Sequence, residues 1–196
     1  MHYLVFPILR LLSDSKTHSI TSISTCLNCS CSDIYSALDD IALFHIKIFN
    51  QHDNYYWIDP VRWLNSQIIL KTDGLSEACY DVIVIDVTDS TNNFLLSQFK
   101  ILKSNAPVHC FKTSVVIAEL QTCGRGRFNR RWYSGLGDSL TFSVGRWFNQ
   151  NISTLNGLSL VIGLALLRTL SIFSIFNIKL KWPNDIISDI HYQKIA

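Results

Sequence analysis

Two glycines and four arginines stand within twelve residues at 121–132, QTCGRGRFNRRW. Four cations this close repel one another, so a compact fold keeps them together to face an anion. Gly124 and Gly126 let the backbone adopt conformations closed to other residues and bring its N–H groups close to a ligand. Arg125 and Arg127 can grip phosphate or carboxylate oxygens bidentately. A solvated basic loop has the same composition, so these residues alone leave both readings open. Two further groups can do chemistry. Asp89-Ser90-Thr91-Asn92 follows an apolar run and opens a helix, where hydroxyls and free N–H groups can hold a small polar ligand or simply cap the helix. Lys181-Trp182-Pro183-Asn184-Asp185 sets an aromatic, a fixed turn and a carboxylate after a strand; Asn184 and Asp185 can hold Mg²⁺ or merely make a turn.

The elements that must position these groups follow from apolar spacing. Residues 82–86 (VIVID), 114–120 (SVVIAEL), 139–144 (SLTFSV) and 178–182 (IKLKW) read as strands. They alternate with helices expected at about 91–103 and 154–172, which indicates an α/β or α+β sheet covered on one face. The apolar stretch 155–178 contains Arg168 and several Asn, Ser and Thr residues, and reads as a buried core helix rather than a membrane span. Upstream, helices at 3–12, 20–27 and 32–44 lead into strand-like IKIF (46–49) and YYWI (55–58), joined by the polar turn NQHDN. This is the plan of a winged helix-turn-helix. Asp33 falls in the first turn of its third helix, with Ser32 as the expected cap. A boundary is expected near 65–75, which gives a winged helix over 1–65, a linker or helix over 66–80 and a second domain from 81 to 196.

Charge is uneven. Residues 1–66 hold four Lys or Arg against six Asp or Glu, and residues 67–196 hold thirteen against nine. No Lys or Arg occurs between Lys16 and Lys47, while Asp33, Asp39 and Asp40 lie on the supposed recognition helix, which suits phosphate contact poorly. Operator binding and a purely structural winged helix both remain open. The apolar start YLVFPIL has no preceding basic region and no small-residue cleavage site, so no signal peptide is read and the expected location is cytoplasmic. The six cysteines are then reduced thiols rather than a disulfide framework. Cys26, Cys29 and Cys31, with His45 nearby, can supply soft metal ligands, but small thiols in a tight turn make the same pattern.

Taken in order, DSTN (89–92), QTCGRGRFNRRW (121–132), SGLGDSL (134–140), GLSLVIG (157–163), KWPND (181–185) and QKIA (193–196) resemble the biotin protein ligase family, including its bifunctional ligase and operon-repressor members. The resemblance implies an α+β fold: a winged helix followed by an incomplete biotin/lipoate-ligase-type mixed sheet with helices. It implies ATP-dependent formation of biotinyl-5′-adenylate, then transfer of biotin to a lysine on the biotin carboxyl carrier domain of a carboxylase. ATP, Mg²⁺ and biotin are the implied ligands. Ser90, Thr91, Asn92, Gln121, Gly124, Arg125 and Lys194 match biotin-site positions; Arg127, Arg130, Trp132, Lys181, Asn184 and Asp185 match the adenylate side, with Asp185 beside the metal. Lys194, Arg125 and Arg127 are the implied catalytic cations. The resemblance also carries a biotin-responsive repressor and a homodimer as alternatives, with no membrane partner. Cys123 and Gly135 stand where the family commonly has alanine and proline, and Phe128 and Asn129 replace a more basic, glycine-bearing pair. The family pattern continues beyond KIA, so the expectation includes a truncated, inactive or fragmentary ligase with exposed apolar surface.

Overall fold

The computed structural model describes residues 1–44, 46–51, 55–71, 77–105, 112–126, 130–190 and 192–196. It divides into two compact units, Met1–Trp147 and Phe148–Ala196.

The first unit begins with helices α1 (Val5–Leu12), α2 (Ile20–Leu27) and α3 (Cys31–Leu43). Their apolar residues recur at helical spacing and close on a common core of Val5, Ile8, Leu9, Leu12, Ile23, Ile34, Ala37 and Ile41. Each large aliphatic side chain removed from water in this way contributes about 1.5–3 kcal/mol. Strands β1 (His18–Ser19), β2 (Phe49–Gln51) and β3 (Tyr55–Trp57) form an antiparallel sheet in the order β1-β3-β2. The expected turn NQHDN falls partly, and His45 wholly, outside the described residues.

The cap of α3 is Ser30, not Ser32. Ser30 Oγ accepts the Asp33 N–H at 3.1 Å and Asp33 Oδ2 accepts the Ser30 N–H at 3.3 Å, a reciprocal capping box. Ser32 lies inside the helix, one residue past its first, so its hydroxyl cannot serve the first turn. Ser30→Ala should lower stability by about 1 kcal/mol in a urea melt, and an unchanged midpoint would contradict the box.

Residues 58–65 leave the hairpin without regular structure and pack back on the helices. Ile58 N–H donates to Leu12 O at 3.2 Å, and the Trp63 indole donates to Ser13 Oγ at 2.8 Å while Arg10 lies 4.4 Å over its ring. A short helix α4 (Ser66–Leu70), capped by Asn65, follows. The main sheet comprises β4 (Tyr80–Thr88), β5 (Thr113–Gln121) and β6 (Thr141–Gly145), with β4 parallel and β6 antiparallel to the central β5. Helix α5 (Thr91–Asn105) packs on it. A Cβ on Gly145 would fall 2.1 Å from the Phe99 ring, so this end of β6 tolerates only glycine beneath α5. Leu120 of β5 belongs to the same apolar cluster as α1–α3, with Val87, Val61, Trp63 and Leu136 packed against it.

The second unit has a 3₁₀ turn (Ile152–Leu155), helix α6 (Leu158–Ile172) and a hairpin of β7 (Ile178–Lys181) and β8 (Asp185–Ser188). Gly157, at φ +88°, begins α6 in a conformation that favours glycine. Gly163 seats the helix on Leu180, with room for no Cβ: one would lie 2.6 Å from a Leu180 methyl. The expectation that this helix is buried is corrected. Gly163 is its one buried residue, and Val161, Ile162 and Leu164 are half exposed or more. The physical reason is geometric: α6 is apolar around its whole circumference, and a two-stranded hairpin can cover only one side. Ser153–Ile172 is long and apolar enough to cross a membrane by length and composition, a property that core helices of soluble proteins share.

Candidate ligand site at the ends of β4 and β5

Parallel pairing carries β4 and β5 to the same end of the sheet, where Thr88 lies opposite Gln121. The chain then continues on both sides in contact. Thr122 N–H donates to Thr88 O and Cys123 N–H to Asp89 O, each at 2.9 Å. Sequence segments some thirty residues apart are thereby brought together by backbone bonds alone.

At this point α5 begins. Ser90 and Thr91 are each 3% exposed. The Ser90 N–H donates to Asp89 Oδ1 at 2.7 Å, and Asn93 donates its side-chain amide to Asp89 Oδ2 at 2.8 Å. These bonds, the Asn93 amide first, hold the Asp89 carboxyl below its ordinary range, and the positive field of Arg125 acts in the same direction. The Cys123-to-Asp89 backbone bond sets the arginine segment beside the helix start. The Thr91 N–H donates to Gln121 Oε1 at 2.8 Å; its hydroxyl lies 3.1 Å from the same oxygen and 2.8 Å from Ser143 Oγ of β6. Thr91 and Gln121 therefore bind each other and clamp β5, α5 and β6, while Asn92 is exposed at the rim.

The arginine segment is a narrow hairpin rather than an open loop. Trp132 N–H donates to Gly124 O at 2.8 Å, Gly126 N–H donates to Arg130 O at 2.7 Å, and Arg125 pairs with Arg131 between them. Neither glycine has a positive φ. The conformational freedom expected of them is not what the fold uses. Gly124 is required by close approach, since a Cβ there would lie 2.5 Å from the Trp132 carbonyl oxygen and 3.0 Å from the Gln121 amide nitrogen. Arg125, Arg130 and Arg131 are exposed on this hairpin, with Arg131 5.1 Å over the Tyr133 ring. Arg127, with Phe128 and Asn129, lies outside the described residues.

In the second unit, KWPND spans the β7–β8 turn, with Trp182–Pro183 cis and the Trp182 ring 78% exposed. Lys181 is exposed, and Asn184 Nδ2 approaches Asp185 Oδ1 at 3.4 Å. QKIA returns along β8: Ile187 bridges Lys194, and Ile186 exchanges backbone bonds of 2.7 Å with Ala196 and Ile195. This return brings Lys194 Nζ to Asp185 Oδ1 at 2.7 Å. Asp185 is thus a lone carboxylate already held by an ammonium. Among the described residues no three His, Cys, Asp or Glu side chains group as a metal centre requires. A Mg²⁺ held at Asp185 would have this one carboxylate and would take its other oxygens from water and substrate phosphates. At Cys26, Cys29 and Cys31, burial with Asp33 and Cys31 nearby pushes the Cys29 thiol up, opposite to the thiolate a soft metal needs.

Three features were not singled out from sequence: the Ser143 hydroxyl and Glu119 in the first unit, and the β8 strand that carries Asp185 in the second. Only Glu119 left a signal, a carboxylate inside an otherwise apolar strand.

Comparison with known proteins finds that the family described as "Biotin/lipoate A/B protein ligase family" matches residues 84–196. The bifunctional ligase/repressor BirA of Escherichia coli (strain K12) is 32% identical over 181 residues, covering 91% of this chain and 52% of the relative. Its namesake in Bacillus subtilis (strain 168) is 24% identical over 193 residues, covering 92% of this chain and 54% of the relative. The chain spans about half the length of these curated relatives. Among solved structures, a biotin protein ligase from Aquifex aeolicus in complex with biotin and ATP is 32% identical, covering 54% of this chain and 40% of that one, at a TM-score of 0.39.

Proposed function

Because this chain belongs to the biotin/lipoate A/B protein ligase family, we propose that it carries the biotin- and adenylate-handling portion of an ATP-dependent biotin protein ligase. The observation that supports this most is the juxtaposition, by β4 and β5, of the Asp89–Thr91 helix start, Gln121 and the arginine hairpin. Joining a carboxylate to a triphosphate brings anions together. Arg125, Arg127 and Arg130 would neutralise them, and the hairpin would close over a hydrolysable adenylate. Ser90, Thr91, Asn92, Gln121 and Gly124 would form the biotin end, and Trp132, Lys181, Asn184 and Asp185 the nucleotide end. Lys194 would stabilise the oxygen that gains charge during attack. Any Mg²⁺ would arrive on the triphosphate rather than occupy a protein-built site. The acceptor would be a lysine on a biotin carboxyl carrier domain, in the cytoplasm.

Biotin-dependent release of pyrophosphate from ATP by the purified chain tests this reading. Release in biotin and none in its absence is the expected result; no binding of biotin at micromolar concentration would sink it.

A second reading is favoured by the relatives' name, ligase/repressor. We infer that residues 1–65 are a winged helix-turn-helix, 66–80 a linker or helix, and 81–196 the N-terminal part of the ligase domain, in a chain that can form a homodimer. Helix α3 would be the DNA-facing element, yet its acidic residues and the absence of Lys or Arg across 17–46 disfavour phosphate contact. Duplex binding that strengthens with biotin plus ATP would support the repressor reading, and α3 predicts that none is seen.

A further inference from the structure

Glu119 is only 6% exposed, on a strand whose other buried residues are apolar or small. A buried carboxylate needs partners. It has one at close range: Oε1 accepts the Leu64 N–H at 2.7 Å, from the irregular segment that joins the N-terminal hairpin to α4. Two other charged groups face it, Arg10 from α1 and Asp86 from β4, and these two form an ion pair with each other. The bond stands where β5 lacks support. Pairing of β5 with β6 covers Ser114–Ala118; beyond it Leu120 and Gln121 pair with β4 only, opposite Val87 and Thr88, and Glu119 falls in neither register. These three residues lead directly to the clamp on Thr91.

We propose that Glu119 is a positioning residue for ligand binding: by accepting the Leu64 N–H it fixes the free edge of β5 and thereby holds Gln121 against Thr91 at the start of α5. The ligand half of this statement rests on the biotin reading above; the positioning half stands on the geometry of β5.

Burial pushes the Glu119 carboxyl above its ordinary range, more than the Leu64 N–H and Arg10 lower it, with Asp86 adding to the rise. A group raised in this way contributes most stability below the ordinary glutamate pKa and loses that contribution as pH rises through its own higher value. Ionising Glu119 therefore costs stability.

The test uses the full chain with Glu119→Ala and Glu119→Gln, and reads amide-exchange protection of Thr91, with Ile41 of α3 as the internal reference, together with the biotin Kd. In E119A, Thr91 protection should fall about tenfold or more while Ile41 is unchanged, and the biotin Kd should rise about tenfold. E119Q keeps an acceptor and should restore most of both, and it should melt higher than wild type at neutral pH but not in acid. Thr91 protection relative to Ile41 should change little as Glu119 protonates, since the neutral carboxyl, like the Gln amide, still offers a carbonyl oxygen to the Leu64 N–H. Unchanged Thr91 protection in folded E119A overturns the proposal. If E119A does not fold, E119Q decides: Thr91 protection reduced about tenfold or more relative to Ile41 in E119Q, which keeps the acceptor, overturns it. Absence of biotin binding by wild type, with the exchange pattern as described, overturns the ligase reading and leaves the positioning role standing.

Discussion

Lys194→Ala should lower biotin-dependent pyrophosphate release on the order of 100-fold or more, the scale seen when one preorganised charge facing a developing oxyanion is lost. The fold should hardly notice. The Lys194–Asp185 pair is partly exposed, at 44% and 29%, and pairs of that kind contribute about 0–1 kcal/mol. QKIA stays on β8 through backbone bonds, from Ser188 to Gln193 and between Ile186 and Ile195 and Ala196, and none of these uses the lysine side chain. A coupled pyrophosphate assay beside a thermal melt separates the two effects. Loss of less than threefold at an unchanged melting temperature would remove Lys194 from the reaction. Lys194→Arg retains the charge but presents a flat fork in place of a point donor, so it should recover part of the rate only.

Gly124→Ala is the second large effect, and it is steric. The added methyl would lie 2.5 Å from a backbone oxygen, that of Trp132, which no rotamer change can move aside. The two sides of the hairpin must separate, breaking the Trp132-to-Gly124 bond and pressing on Gln121. We expect a loss of about 1–3 kcal/mol of stability and at least a tenfold weaker biotin Kd. Gly126→Ala is the informative contrast: its nearest contact would be 3.4 Å, at the Arg130 carbonyl, and its effect should be far smaller. Equal effects at both positions would mean that composition, not close approach, accounts for the glycines.

Much of the frame was legible because it depends on local rules. The runs around VIVID and SVVIAEL are apolar enough that a strand is the only short element they suit, and they became β4 and β5. Helices α1, α2 and α3 follow their apolar spacing to within two residues at each end. What escaped depends on contacts between distant residues. The cap at Ser30 was available in the pattern Ser-x-x-Asp, but a neighbouring serine offered a competing reading. The hairpin of the arginine segment was not, because its rungs depend on Gly124 fitting against Trp132. Strand β8 was hidden inside a motif that reads as a turn, and its second neighbour, QKIA, arrives after the chain has turned back, pairing Lys194 with Ile187. The exposure of α6 has no local signature at all: the same apolar residues read identically whether a neighbour covers them or not.

The clamp between Thr91 and Gln121 has a consequence for selectivity. A threonine hydroxyl offers one proton and two lone pairs, and here Gln121 and Ser143 already engage it. A visiting molecule that took over this hydroxyl would break its bonds to Gln121 and Ser143 and leave Gln121 Oε1 with the Thr91 N–H alone, a loss comparable to the bond gained. On the proposed ligase reading Thr91 would discriminate by shape, setting how far a head group can descend between β5 and α5. Chemical choice between rival head groups would then fall to the rim, where Asn92, Arg125, Arg130 and Arg131 are exposed.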